Sequence, residues 1–173
     1  MNESEQIINK VANSALVTFD LEDLFEPGER ILLDIKDQLY EGLLLREKPF
    51  REFIKSHDWS RYQDKFVAIV CSTEAIVPTW AYMLMAIALK PFVKRVVFGS
   101  LTDLEIENYR VALNKIQWSS YKDAKVVVKG CSKVDVPVAV YVDVADRLTP
   151  YASSIMFGEP CSTVPLFKKR KSL

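Results

Sequence analysis

Short apolar runs alternate with helical patterns over the last two thirds of the chain. The runs are continuous rather than alternating, which is typical of strands that are buried on both faces of a parallel sheet. Between the runs, apolar residues recur at helical spacing, and proline stands where two of the helices would begin. The pattern predicts strands at 66–70, 94–98, 125–129 and 154–157, and helices at about 78–89, 100–115 and 137–148.

Strands that recur about every 30 residues with helices between them indicate right-handed βαβ units. The sequence therefore predicts an α/β fold with a mostly parallel, doubly wound sheet in flavodoxin-like order and helices on both faces. Residues 65–167 would form the βαβ core, and residues 1–173 would form a single domain. This length is sufficient for one domain with its own hydrophobic core.

The first 62 residues are predicted to pack on that core, where they would extend the sheet or cover one of its edges. An exposed apolar edge strand invites aggregation, so some covering element is expected. A Pro27-Gly28 turn separates the first two apolar runs. The candidate elements are strands at 15–19, 30–35 and 40–45, followed by a helix at 47–57.

Composition places the chain among ordinary globular proteins, since 49% of its residues are apolar and 27% are charged. Lys+Arg and Asp+Glu are equal at 23 each, which removes the positive charge expected of a nucleic-acid-binding protein. The basic tail at 168–171 is explained as a short solvated terminus. The polar, acidic start lacks the features of a signal peptide, and the longest apolar stretch, 81–89, is too short to span a bilayer. We expect a cytoplasmic protein whose partner is a small molecule or another protein, without nucleic acid or membrane.

Each of the three cysteines is followed by serine, and each Cys-Ser pair is followed within a few residues by Val-Pro. Each pair also follows a predicted strand. In flavodoxin-like order those strands are neighbours, because the strand at 94–98 lies outside them, and the chain reverses between the first two. Adjacent parallel strands lie about 4.8 Å apart. The thiols of Cys71, Cys131 and Cys161 are therefore predicted to meet at one end of the sheet.

Several kinds of site could use such thiols. Three thiolates can hold zinc with a fourth ligand, or an iron–sulfur cluster with one iron left open. One cysteine could instead attack and another resolve, provided that a positive group such as Lys133 or a helix N-terminus stabilises the thiolate. Helix N-termini together with serine hydroxyls could also form an anion cradle. The serines concerned are Ser72, Ser132 and Ser162.

Three further residues are candidates for supporting roles. His57 is the only histidine, so it could be a fourth zinc ligand or could end the helix at 47–57. Glu74 and Glu159 lie within three residues of a cysteine, where each could add a carboxylate or remain a solvated loop charge. The chain has no glycine-rich phosphate loop and no Gly-x-Ser-x-Gly elbow, so neither a dinucleotide site nor a conventional hydrolase triad is predicted.

Longer segments around these motifs carry a family resemblance. They lie at 11–14, 19–23, 68–72, 76–83, 129–132 and 158–166. Through them the chain resembles an uncharacterised bacterial family, a domain of unknown function found mainly in the Bacteroidetes. The resemblance covers nearly the whole chain and implies no activity, because the family has none assigned.

The leading hypothesis is therefore a protein that binds a metal ion or an iron–sulfur cluster through its three cysteines. The alternative is a non-enzymatic binding or structural domain whose cysteines are buried as small apolar groups. A third hypothesis is a thiol-based redox or nucleophilic enzyme. Whether the protein is an enzyme is left open by the sequence.

Overall fold

The computed structural model describes residues 16–130, 133–159 and 161–170. Over these residues helices and strands interleave, which confirms the α/β class. The strands are β1 (Leu16–Asp20), β2 (Arg30–Asp34), β3 (Leu39–Tyr40), β4 (Leu44–Leu45), β5 (Phe66–Val70), β6 (Arg95–Phe98), β7 (Lys125–Lys129), β8 (Ser154–Glu159) and β9 (Ser162–Lys168). The α-helices are α1 (Glu47–Ser56), α2 (Thr79–Leu89), α3 (Leu101–Leu113) and α4 (Val138–Leu148).

The chain divides into two compact units, each with its own sheet. The terminal unit comprises Met1–Phe25 and Ala112–Leu173, and the central unit comprises Glu26–Val111. The sheet of the terminal unit has the order β1-β7-β8-β9, and that of the central unit has the order β2-β5-β6. All strand pairs in these two sheets are parallel except β8–β9. The organisation of the chain as a single domain stays a prediction.

The prediction that the three strands before the cysteines are neighbours in one sheet is wrong. β5, which precedes Cys71, pairs with β2 and β6, whereas β7 and β8 pair with each other in the other sheet. The cause is the pairing of the two N-terminal strands. Each of them extends the edge of a different sheet, because β1 aligns with β7 and β2 aligns with β5. As a result, the strand before Cys71 belongs to one sheet, and the strands before Cys131 and Cys161 belong to the other.

The two units repeat one pattern at a constant spacing of 59 positions. β7 begins 59 residues after β5 (66 to 125), and α4 begins 59 residues after α2 (79 to 138). A one-turn 3-10 helix precedes β5 at Trp59–Tyr62, and another precedes β7 at Trp118–Tyr121. The sequence carries this repeat as Trp-Ser-x-Tyr-x-Asp, which occurs at 59–64 and again at 118–123.

Side chains reproduce the repeat as closely as the backbone does. Trp59 Nε1 donates to the carbonyl of Ile54 at 2.8 Å, and Trp118 Nε1 donates to that of Leu113 at 3.2 Å. Edge-to-face ring pairs also recur, with centroids 4.9 Å apart for Tyr82–Phe98 and 5.7 Å apart for Tyr141–Phe157. The final aspartate of the motif has a left-handed backbone in both copies, with φ of 59° and 60°. Aspartate tolerates that conformation better than most residues do.

Burial explains why the valine-rich segment at 138–148 is a helix despite the low helix propensity of β-branched residues. Val140, Val144 and Leu148 lie four positions apart on one face of α4, and all three are fully buried. Ala81, Met85 and Leu89 form the matching face of α2. No helix in the described segments is both long enough and apolar enough to cross a bilayer.

The β8–β9 hairpin was not predicted from the sequence. Gly158 lies inside β8 with φ of 117°, and a Cβ there would lie 2.6 Å from the carbonyl oxygen of Ser162, so this position requires glycine. Pro165 is accommodated because β9 is an edge strand that needs no donor at that position. The third Val-Pro therefore lies within a strand, whereas the first two precede helices.

The predicted strand at 40–45 is instead a tight hairpin of β3 and β4. Glu41 and Gly42 turn the chain with positive φ values of 52° and 70°. An antiparallel pair of two-residue strands results, in place of one longer strand.

Candidate functional site

The Cys-Ser segments at 71–78 and 130–137 follow β5 and β7 along the chain, and each of these is an inner strand of its sheet. In each unit this strand lies between an N-terminal edge strand and the strand that follows it along the chain. Open α/β sheets bind their ligands outside the carboxyl ends of the parallel strands. Each unit therefore has an equivalent candidate site, formed by the end of the edge strand and by the loop.

In the central unit, Asp34 joins the end of β2 to the loop after β5. The hydroxyl of Ser72 donates to Asp34 Oδ2 at 2.5 Å, and the backbone N–H of Ser72 donates to Oδ1 at 3.2 Å. The backbone N–H of Lys36 donates to Oδ1 at 3.0 Å, and the Lys36 ammonium lies 3.6 Å from Oδ2. These contacts hold the end of β2 beside the loop that follows β5.

These contacts set the charge state of Asp34. Partial burial alone would raise the pKa of its carboxyl group. The hydrogen bond from the Ser72 hydroxyl and those from the two backbone N–H groups outweigh that effect, and the pKa lies below its ordinary value. Asp34 is therefore a carboxylate at neutral pH, and Ser72 is its hydroxyl donor.

Cys71 is half-buried beside this pair. Its thiol lies 3.5 Å from the carbonyl oxygen of Thr73 and 3.6 Å from the Thr73 hydroxyl, and its side chain packs against the core of the central unit. Tyr82 faces the same corner, where burial raises the pKa of its phenol and the charge of Asp34 raises it further. Cys71 thus fits the packing alternative, in which the cysteine serves as a small apolar group.

In the terminal unit, the equivalent carboxylate is paired with lysine. Asp20, at the end of β1, lies 2.9 Å from the Lys129 ammonium, and this hydrogen bond raises the pKa of Lys129. Glu22 accepts a hydrogen bond from the backbone N–H of Lys133 at 2.8 Å. Glu159 and Gly130 complete a narrow cleft of about 10 Å³ beside these residues. The cleft has room for about one water molecule.

Cys161 lies at this same edge of the sheet and is exposed in the turn between β8 and β9. Cys131 and Ser132 lie outside the described residues. Each of these two cysteines is the second residue after the end of its strand. The two strands are parallel neighbours, with Val128 opposite Phe157. This part of the predicted arrangement, neighbouring strands before Cys131 and Cys161, is confirmed.

Comparison with known proteins places the chain in a family. A family model described as "Protein of unknown function (DUF2480)" matches residues 5–169. The chain belongs to this family. No curated protein and no solved structure matches the chain. The predicted membership in a family of unknown function is confirmed, while the cellular location and the partners stay predictions.

The supporting candidates of this family member lie on several different elements. His57 ends α1, as predicted, with its Nε2 3.2 Å from the Tyr62 hydroxyl and its ring packed on Trp59. Glu74 is exposed in the loop after β5, and Ser162 opens β9 opposite Glu159. Among the described residues, His, Cys, Asp and Glu form no group of three that could hold a metal ion.

Sequence reasoning missed the two aspartates that end the edge strands. A signal for them exists, because Asp20 and Asp34 each begin the pattern Asp-(Leu/Ile)-x-Asp. In both copies the first aspartate accepts the backbone N–H two residues later, at 3.0 Å, and starts a 3-10 turn. The pattern is typical of a strand that ends in an Asx turn.

Proposed function

We propose that this protein binds a metal ion or an iron–sulfur cluster through thiolates at the carboxyl edge of the four-stranded sheet. The proposed ligands are Cys131 and Cys161. The observation that carries the proposal is the parallel pairing of β7 with β8, because it places the carboxyl ends of the strands that precede Cys131 and Cys161 side by side. Thiolates are the protein ligands preferred by zinc and by iron–sulfur clusters.

Chain geometry supports a shared ligand. Neighbouring strands lie about 4.8 Å apart, and two thiolates on one metal ion have sulfur atoms about 4 Å apart, since each metal–sulfur bond is about 2.3 Å long. Each cysteine is the second residue after its strand, so little chain separates either thiol from the sheet edge. Cys161 is exposed, which allows a metal ion to reach it from solvent.

The neighbouring carboxylates have other partners. Asp20 pairs with Lys129, and Glu22 binds the backbone of Lys133. The described residues at this edge form no metal-binding group of three. A metal site here therefore depends on Cys131. Cys71 belongs to the central unit, and its participation as a third ligand, predicted from the sequence, stays a prediction that a separate variant decides.

The test is metal, iron and sulfide analysis of protein purified without oxygen, together with its absorption spectrum. We expect bound metal in the wild type and its loss in both Cys131→Ala and Cys161→Ala. Ser162→Ala is the matched control beside Cys161 and should keep the metal. Retention of full metal content by both cysteine variants, or a wild type that binds none, would overturn the proposal. Loss in Cys71→Ala as well would extend the site to three thiols.

Thiol chemistry at Cys161 is a second candidate function, and the exposure of this residue favours it. The half-buried Cys71, whose thiol lies against Thr73, is the internal reference. Alkylation of Cys161 much faster than that of Cys71 and of a free-cysteine peptide supports a reactive thiolate. A Cys161 rate no higher than that of the peptide rejects it.

A further inference from the structure

A basic groove lies at the other end of the four-stranded sheet, where β7 and β8 begin and β9 ends. Its volume is about 430 Å³. We call it the basic groove, because four cationic side chains line it together with two serines. These residues are Lys125, Ser153, Ser154, Lys168, Lys169 and Arg170. The sequence pattern assigned the last three cations to a solvated tail. The structure instead brings them together with Lys125.

Strand pairing holds part of this groove in a fixed row. Lys125 is opposite Ser154 across the parallel pair β7–β8, and Ser154 is opposite Lys168 across the antiparallel pair β8–β9. Residues that are directly opposite in a sheet point to the same face. The backbone N–H of Lys169 donates to the carbonyl of Ser153 at 2.9 Å and continues the pairing beyond β9. Lys125, Lys168 and the backbone of Lys169 are therefore positioned by the sheet.

The charge of the groove is not neutralised within the described part of the chain. None of its four cations forms an ion pair there. Asp123 is the one carboxylate among the described lining residues, and it leaves an excess of three positive charges. A ligand with several negative charges would balance that excess.

The central unit has acidic partners at the equivalent corner. Lys94 and Arg95 stand 59 positions before Ser153 and Ser154. Both cations pair with Glu26, at 4.0 Å and 3.8 Å. At the same corner of the repeated fold, the cations are thus ion-paired in the central unit, whereas those of the basic groove form no ion pair among the described residues.

The residue at the position of Lys125 also differs between the two units. Its equivalent in the central unit is Phe66, which is fully buried under the guanidinium of Arg30, 4.8 Å from the ring centroid. Arg30 in turn pairs with Glu105 at 3.0 Å. The fold therefore accepts a buried phenyl ring at this position and does not require an exposed lysine there.

We propose that the basic groove binds a small ligand that carries two or more phosphate groups. Lysine ammonium groups and an arginine fork are the side chains that bind phosphate oxygens most effectively, and serine hydroxyls add neutral donors. The volume lies in the range of small-molecule sites. The groove is at the amino ends of β7 and β8, so this site is separate from the thiolates at their carboxyl ends and does not rest on the proposed metal function.

The test is calorimetric titration of the full-length protein with inorganic tripolyphosphate at physiological salt. We expect saturable binding at one site per chain. The double variant Lys125→Gln/Lys168→Gln should weaken it by at least about tenfold, because two charge-assisted contacts are lost. Lys115→Gln removes an exposed charge of the same unit away from the groove and should leave the affinity unchanged. Circular dichroism confirms that each variant is folded.

Absence of saturable binding by the wild type would overturn the proposal. So would an equal loss of affinity in Lys115→Gln, because the attraction would then be a general effect of charge. Binding of long RNA without binding of tripolyphosphate would also overturn it, since the partner would then be a nucleic acid rather than a small phosphate ligand.

Discussion

Ser72 donates both its hydroxyl and its backbone N–H to the carboxylate of Asp34, at 2.5 Å and 3.2 Å. The two residues are 38 positions apart in the chain. Their contact ties the end of β2 to the Cys-Ser loop that follows β5. This bond therefore fixes the loop beside Cys71 in the central unit.

Replacement of Asp34 by asparagine should lower the free energy of unfolding by about 1 kcal/mol at neutral pH, because charge-assisted hydrogen bonds are lost at a partly exposed site. The pKa of Asp34 is lowered in the folded protein. Its carboxylate therefore contributes stability above the unfolded-state pKa of about 3.9, and this contribution is lost as the pH falls through the lower folded pKa. Urea unfolding at neutral and acid pH measures both effects.

The control for this experiment is Asp37→Asn, in the 3-10 turn that follows Asp34. Asp37 is exposed, and its replacement should change stability by less than about 0.5 kcal/mol. An equal loss in the two variants would contradict the assigned role of Asp34, as would a loss that persists unchanged at acid pH.

The repeat predicts matched effects for two tryptophans. Trp59→Phe and Trp118→Phe each remove an indole N–H bond to a carbonyl five residues earlier, which should cost about 1 kcal/mol beyond the lost apolar area. Trp80→Phe is the control, because Trp80 packs on Phe50 and no hydrogen bond of its indole is among the described contacts. Chemical denaturation of the three variants checks the prediction. A loss at Trp80 as large as at the other two would contradict it.

The single histidine gives a clean spectroscopic probe. Burial lowers the pKa of His57, and nearby Arg61 lowers it further. The folded protein therefore holds this proton less tightly than the unfolded chain, so stability declines as the pH falls from about 6.5 towards the folded pKa. An NMR titration should give a midpoint below 6.5, and His57→Gln should remove this decline. A midpoint at or above 6.5 would show that the ring is not desolvated by Trp59 and Tyr62.

The sequence predicted the central strands to the residue, because continuous runs such as 66–70 and 125–129 are β-prone and bounded by polar residues. It did not predict which sheet each would join. The sheet that each strand joins depends on parallel pairing between distant segments. β2 and β5 begin 36 positions apart (30 and 66), and β1 and β7 begin 109 positions apart (16 and 125). The pattern of apolar residues within a short segment does not encode such pairing. Gly158 and Pro165 concealed β9, because both are ordinarily strand breakers.

The candidate site was predicted only in part. The cysteine positions at strand ends followed from the Cys-Ser pattern, whereas the carboxylates facing those ends lie on strands far away in the sequence. The Asp-(Leu/Ile)-x-Asp pattern shared by Asp20 and Asp34 would have identified them, whereas the 59-residue repeat aligns only the two Cys-Ser loops and their preceding strands. The basic groove depended on β9, so its cations could not be joined to Lys125 from sequence alone.

The proximity of Cys131 and Cys161 is the central claim, and disulfide mapping of metal-free Cys71→Ser protein tests it most directly. Two cysteines form a disulfide only when their Cα atoms lie within about 4.4–6.8 Å. Under mild oxidation at low protein concentration, mass spectrometry should find the peptide pair that joins the two residues within one chain. Prior addition of Zn²⁺ should prevent it, because the thiolates would be coordinated. Free thiols or only intermolecular disulfides after oxidation, or an intramolecular bond that forms equally with Zn²⁺ present, would contradict a shared thiolate site.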